Sequence, residues 1–241
     1  MKILVGICIL FCTIFLLMMY MGCTNVHIHK KSKPGQIKVA CIGDSITYGC
    51  MVSGWPWRNY PYMLGKFLGD GYHVENFGVS ARTLQDTGDH PYTREKTYQS
   101  SLSFLPQIVI LKLGTNDSKS ANWINVEVFV SAYRKLVAAY KALPSKPVIY
   151  LCTPAAAYAG SGATRNSYAF DIREENLSAI RYAVRQIALE DDLPVIDLAE
   201  ATSGHREWFC ADGIHPNALG AERMAEMICG IIENKKMEDP I

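Results

Sequence analysis

A chain of 241 residues, 49% of them hydrophobic, is long enough to bury a substantial core, and its length favours one domain over two. Its 24 lysines and arginines offset 23 aspartates and glutamates, leaving a net charge of +1. No strong field draws such a chain to nucleic acid or another polyanion, so nucleic acid is set aside as a partner.

In chain order, the first element is an uncharged run from Ile3 to Met21, preceded by Lys2 and closed by Gly22 and Cys23. Residues 1–22 read as an export signal. A small residue directly before a cysteine is similar to a bacterial lipoprotein cleavage site, which would lipidate Cys23, although Tyr20 stands where such sites usually carry leucine. The alternative is an uncleaved transmembrane anchor, since the run is just long enough to cross a hydrocarbon core of ~30 Å. Lys30, Lys31 and Lys33 fit poorly with translocation of the domain beyond them. Either reading tethers the chain to a membrane. The lipoprotein reading places it in a bacterial cell envelope, facing the periplasm or exterior, and secretion is a further alternative. Residues 23–36 form a polar tether, and 37–241 the folded domain.

Beyond the tether, short apolar runs at Ile37–Ile42, Ile108–Leu113, Val148–Leu151 and Val195–Leu198, with a weaker one near His73–Phe77, predict five strands. Between them, Tyr60–Leu68, Val126–Leu143, Ile172–Leu189 and Ala218–Ile232 carry apolar residues at three- and four-residue spacing and predict helices. This alternation implies right-handed crossovers and a three-layer α/β/α sandwich around a mainly parallel sheet, with a site at the carboxyl ends of the strands. Cys50–Asn59, Ser80–Thr97 and Pro154–Asp171 predict loops over that edge.

Four strings sit where chemistry is expected. The first strand ends in GDSITYG, which puts the Ser45 hydroxyl at a turn. Near the far end, ADGIHPN sets Asp212 three residues before His215. A serine reacts when a base takes its proton, a neutral imidazole suits that task, and a carboxylate fixes the imidazole tautomer. NFGVSA, with Asn76 and Gly78, closes the second strand, and LGTND, with Asn116, closes the third. The Ser45 and Gly78 amides and the Asn116 side chain make three candidate donors to an oxyanion. Each string alone is also an ordinary turn.

Taken in order, these strings resemble the SGNH hydrolases of the GDSL esterase and lipase superfamily, from Val39 to about Met227. The resemblance implies a flavodoxin-like fold and no metal or organic cofactor. It implies Ser45 as nucleophile, His215 and Asp212 as its partners, and an oxyanion hole of Ser45, Gly78 and Asn116. Ile46 replaces the leucine of the GDSL name. The G-x-S-x-G elbow of α/β-hydrolases is absent, because Thr47 stands two residues after Ser45.

Of the eight cysteines, Cys8, Cys12 and Cys23 belong to the first 23 residues. The odd remainder argues against a full disulfide framework. Cys41, Cys152 and Cys229 read as packing residues, while Cys50 and Cys210 stand near site residues and a bridge between them is conceivable. None of the spacings resembles a zinc site.

Aromatic faces suit sugar rings, so Trp55 and Trp57, with Tyr60 behind them, are candidate substrate contacts, whereas Trp123 reads as packing. Arg82, Arg94 and Arg165 could receive a sugar carboxylate. GTNDSKSANW and LCTPAAAY look similar to exported bacterial glycan deacetylases, including sialate and xylan acetylesterases. The expectation is a serine O-acetylesterase on a small-molecule or glycan ester. Alternatives are a lysophospholipase or thioesterase on longer acyl chains and, in another class, a non-catalytic glycan-binding protein.

Overall fold

The computed structural model describes residues 31–238. The export signal, the lipidation of Cys23 and the transmembrane alternative lie outside those residues. Among the described residues no helix is long and apolar enough to cross a membrane.

Five strands, β1 (Ile37–Gly43), β2 (Tyr72–Gly78), β3 (Ile108–Lys112), β4 (Val148–Cys152) and β5 (Val195–Ile196), form one sheet in the order β2-β1-β3-β4-β5. Every neighbouring pair is parallel. The connecting helices are α1 (Ser45–Tyr48), α2 (Tyr60–Leu68), α3 (Lys96–Ser103), α4 (Val126–Lys141), α5 (Glu174–Glu190), α6 (Leu198–Ala201) and α7 (Ala218–Glu238). One face of the sheet packs Val39 and Cys41 against Leu64 of α2 and Ile228 of α7. The other packs Ala40 and Ile42 against Phe129 of α4 and Ile180 of α5. Covering both faces is why the central strands read as unbroken apolar runs. The fold is the expected α/β/α sandwich.

Two elements differ from the sequence reading. Helix α3 begins inside the stretch expected to be loop; KTYQSSLS offers only two apolar residues, Tyr98 and Leu102, to mark the face it packs on the core. Strand β5 is two residues long instead of four. Asp197 ends it by accepting the Glu200 N–H and capping α6, while Arg185 pairs with the same carboxylate at 2.6 Å.

The register aligns Gly43 of β1 with Gly78 of β2 and Lys112 of β3, so three strand ends meet at one edge. Lys112 is the exception in an otherwise apolar strand. It is fully buried, as is Asp44, and its Nζ lies 3.0 and 3.1 Å from the two Asp44 oxygens and 3.1 Å from Thr115 Oγ1. All three ammonium hydrogens are thereby accepted. Asp44 also accepts the Ile46 N–H at 2.9 Å, capping α1. Gly43 has no room for a side chain, since a Cβ there would sit 2.0 Å from Thr47 Oγ1.

Lys112→Met leaves the Asp44 carboxylate buried without its counter-charge and is expected to cost about 3–5 kcal/mol in urea unfolding. Adding Asp44→Asn should recover most of that loss. A single-variant cost below about 1 kcal/mol would show that the pair carries no more than a surface ion pair.

Candidate active site

Ser45 opens α1, and its Oγ lies 2.9 Å from His215 Nε2 across 170 residues of sequence. On the far side of the imidazole, Nδ1 is 2.7 Å from Asp212 Oδ2. That carboxylate makes Nδ1 the protonated nitrogen and leaves Nε2 as acceptor for the serine hydroxyl. Burial pushes the Asp212 carboxyl up, but the His215 side chain, the His215 N–H and the Ile214 N–H outweigh it and hold the carboxyl below its ordinary range. The two backbone bonds, 2.8 Å from Ile214 and 3.0 Å from His215, also fold the three-residue turn that brings carboxylate and imidazole together.

This turn is gripped from outside. Tyr158 N–H donates to Gly213 O at 2.9 Å and Ser161 N–H to Ala211 O at 2.8 Å. Gly213 lies at φ 76, where a Cβ would meet Tyr158 O at 2.1 Å. Glycine is required there by both conformation and contact.

The Asn116 side chain donates from Nδ2 to Arg82 O at 3.1 Å, and the Asn116 backbone carbonyl accepts from Asn122 Nδ2 at 2.9 Å. One Nδ2 hydrogen remains for a ligand. Lys112, bound to both Asp44 and Thr115, ties the residue before Ser45 to the residue before Asn116. Next to Asn116, the buried Asp117 carboxylate accepts the Leu84 N–H at 2.9 Å and the Gln85 N–H at 2.8 Å, which anchors the loop after β2. Burial raises this carboxyl to about 6 against the lowering pull of the Gln85 and Leu84 bonds.

Gly78 is placed differently from the sequence expectation. Its N–H donates to Asn76 Oδ1 at 2.9 Å, and a Cβ on it would lie 2.3 Å from Tyr48 N, so it is a strand residue pressed against α1. Asn76 completes that junction by donating to Thr47 O at 2.8 Å. The Gly78 amide is therefore already engaged and not offered to a substrate. Three residues on, Ala81 adopts φ 67. Its N–H meets no acceptor among the described residues, and its neighbour Arg82 supplies the carbonyl that holds Asn116. No sequence signal marks an alanine for left-handed backbone.

The expected substrate contacts also move. Arg82 binds Glu95 at 2.7 Å and Ser80 O at 2.8 Å, so its guanidinium braces its own loop. Arg94 reaches Asp86 O at 3.2 Å. The Trp55 indole donates to Tyr48 O at 3.1 Å and packs on the Tyr48 ring, and Tyr60 is buried against Thr47. Trp57 is 50% exposed but lies in a separate cavity with Tyr62. Trp123 packs on Phe129, as its sequence context suggested. Cys50 and Cys210 are free thiols, without the conceivable bridge.

One residue beside the triad was not foreseen. Phe170, 55% exposed, sets its ring edge to face with the His215 imidazole at 5.4 Å and 79°. Both Phe170 (φ 61) and Asp171 (φ 60) are left-handed. Asp171 holds this conformation by accepting from the Ser120 N–H and hydroxyl and pairing with Arg173 at 2.8 Å. Strain of this kind costs on the order of 1–3 kcal/mol per residue and concentrates at functional sites.

Residues 41–223 match the model of the GDSL-like lipase/acylhydrolase family. The chain belongs to that family. Its members are described as GDSL-like lipases and acylhydrolases. An acetylxylan esterase from Xylanibacter ruminicola is 37% identical over 219 residues, covering 83% of this chain and 44% of the relative, so this chain spans less than half of that protein. Among solved structures, a carbohydrate acetylesterase from Sinorhizobium meliloti superposes with a TM-score of 0.69 at 21% identity, covering 83% of this chain and 100% of that one. An aryl esterase from M. smegmatis gives 0.68 at 20% identity, covering 82% and 99%. At these identities the solved structures establish a shared fold.

The raised Asp117 pKa bears on the stability of this GDSL-family protein. Its unfolded pKa is about 3.9, so between roughly pH 4 and the folded value of about 6 the native state holds the proton more tightly. The stability that Asp117 contributes is complete below that window and is lost as pH rises through it. Asp117→Asn has no proton to lose there. Its Tm relative to the parent should therefore climb from pH 4 to pH 6 and level off above, and a difference independent of pH would assign the titration elsewhere.

Proposed function

We propose that the protein is a serine O-acetylesterase acting on an acetylated neutral polysaccharide of the xylan type, through the Ser45, His215 and Asp212 triad. The observation that carries the reaction is the unbroken hydrogen-bond line from Ser45 Oγ through the imidazole to Asp212, at 2.9 and 2.7 Å. Support for the substrate comes from the acetylxylan esterase at 37% identity. Of the three arginines considered for a sugar carboxylate, Arg82 and Arg94 are engaged within the protein, while Arg165 is exposed.

The steps are set by the residues. His215 Nε2 takes the Ser45 proton as Oγ attacks the ester carbonyl carbon, and Asp212 stabilises the imidazolium. The oxyanion is received by the Ser45 N–H, the remaining Asn116 Nδ2 hydrogen and the Ala81 N–H, in place of Gly78. Protonated Nε2 then delivers its proton to the departing sugar oxygen, leaving acetyl-Ser45. Water, deprotonated by His215, attacks the acetyl carbonyl to release acetate and restore the serine.

The leaving oxygen must lie within reach of Nε2, so a side chain against the imidazole borders the alcohol side of the ester. Phe170 occupies that place and presents half its surface to the incoming sugar.

Acetate release from acetylated xylan, measured beside p-nitrophenyl esters of increasing chain length, tests this reading. Acetate release and a peak at the shortest acyl chains are expected. A peak at acyl chains of about eight or more carbons would contradict the small acyl group, which buries little of the ~0.8 kcal/mol per CH2 that such chains gain. His215→Ala should lower kcat by about 10⁶ and Asp212→Ala by about 10⁴, because the imidazole keeps its place opposite Ser45 when the carboxylate is gone. Equal losses would refute the ranking. Phe170→Ala should raise KM for acetylated xylo-oligosaccharide about tenfold, a contact of about 1.4 kcal/mol, with a smaller change for ethyl acetate. A uniform loss on both esters would place Phe170 outside alcohol recognition.

A further inference from the structure

A cavity of about 450 Å³ opens on the flank of β2, and neither Ser45 nor His215 lines it. β2 is an edge strand of the sheet, so side chains from both of its faces reach this opening. The partition between the cavity and the triad is thin. Tyr48, three residues after the nucleophile, lines the cavity, and Asn76, whose amide is bound to Thr47 O and Tyr48 O, lines it as well. Three residues of helix amount to ~4.5 Å of rise.

The walls differ in character. On one, Trp57 meets the Tyr62 ring at 5.6 Å and 70°, and the Tyr62 ring also carries the Lys66 ammonium at 5.2 Å. Trp57 remains 50% exposed, an indole shelf beside an opening. Glu75, which also lines the cavity, is 6% exposed and lies 3.1 Å from His73 Nε2. A buried carboxylate and a partly buried imidazole that line the same cavity as an aromatic shelf combine fixed hydrogen-bonding groups with an apolar platform, and the volume lies within the range of small-molecule sites. The charge balance restricts the ligand further. Asp70 and Glu75 oppose the single ammonium of Lys66, an arrangement that repels carboxylates and suits neutral hydroxyl groups.

We infer that this cavity is a second carbohydrate site, in which Trp57 stacks on a neutral pyranose and the Glu75–His73 pair accepts and donates hydrogen bonds to its hydroxyls. The polysaccharide proposed as substrate would be held here by a residue that carries no scissile acetyl group, and the choice of a xylan-type chain rests on that proposal. Of the aromatic residues after the nucleophile block, Trp57 thus serves the glycan away from the reacting bond.

Calorimetric titration of the full chain with unacetylated xylohexaose, and in parallel with sialyllactose, tests the site without the reaction. Xylohexaose should bind, and Trp57→Ala should weaken it about tenfold, the loss of one stacking contact of about 1.4 kcal/mol. Glu75→Gln keeps the shape of the side chain and should weaken binding about fivefold, through a hydrogen bond to a charged acceptor. Absence of xylohexaose binding, binding unchanged in both variants, or tighter binding of the carboxylated sialyllactose would each overturn the inference. Acetate release from acetylated xylan by the parent protein reports separately on the catalytic proposal. Release with no effect of Trp57→Ala on binding removes the cavity alone, and intact binding without release removes the esterase reading alone.

Discussion

The site is organised around an ion pair that no solvent reaches. Lys112 and Asp44 face each other with zero exposure at 3.0 and 3.1 Å, between the end of β1 and the end of β3. Burying two charges costs several kcal/mol per ion, and such a pair is maintained only when its remaining hydrogen-bonding capacity is filled. Here the Asp44 carboxylate caps α1 while the ammonium reaches Thr115. One cation thus fixes the positions of Ser45 and Asn116 relative to each other, each through its immediate neighbour. Catalysis that depends on donors placed within fractions of an ångström needs such an undeformable link. A hydrophobic pair of the same volume would pack as well, but it would not dictate the direction of the α1 cap.

The contrast between strand ends and loops explains which parts of the molecule were legible in its sequence. Strands β1, β3 and β4 lie under helices on both faces, so their apolar runs announced them. The pairing of Asp212 with His215 was legible because both lie in one local turn. Lys112 stood in plain view as a charge within ILKLG, and its burial is legible in retrospect as an anomaly that needs a carboxylate nearby. Gly78 misled because glycine at a strand end is equally suited to close packing and to donating an amide. Its packing against Tyr48 N settles which role it has, and that contact comes from an element 30 residues earlier. Ala81 and Phe170 owe their conformations to tertiary hydrogen bonds, through Arg82, Asn116, Asp171 and Ser120, that leave no local pattern. Helix α3 was missed for a related reason, as its polar sequence is helical by context.

Substrate-facing parts are built differently from the triad. The Pro154–Asp171 loop is not a loose lid. Its middle grips the histidine turn at Gly213 and Ala211, and its end is locked to Ser120 in the loop beyond Asn116. The same backbone that orients His215 therefore carries Phe170, and a change in the wall of the alcohol side would be felt by the base. In this chain the coupling between the two runs through backbone hydrogen bonds from Tyr158 and Ser161 to the histidine turn.

The distance in sequence between Ser45 and His215 has a consequence for how the molecule becomes active. Their hydrogen bond joins residues 170 positions apart, and it forms only when the segment leading into α7 has come back to the first strand. Contacts that close so long a loop gain their reward after the entropy of closure has been overcome, and therefore tend to form late. The residues that bring His215 to Ser45 also cover one face of β1, since Ile228 of α7 packs in one cluster with Val39 and Cys41. Formation of the Ser45–His215 hydrogen bond is accordingly tied to the docking of the carboxyl-terminal turn onto the end of the first strand.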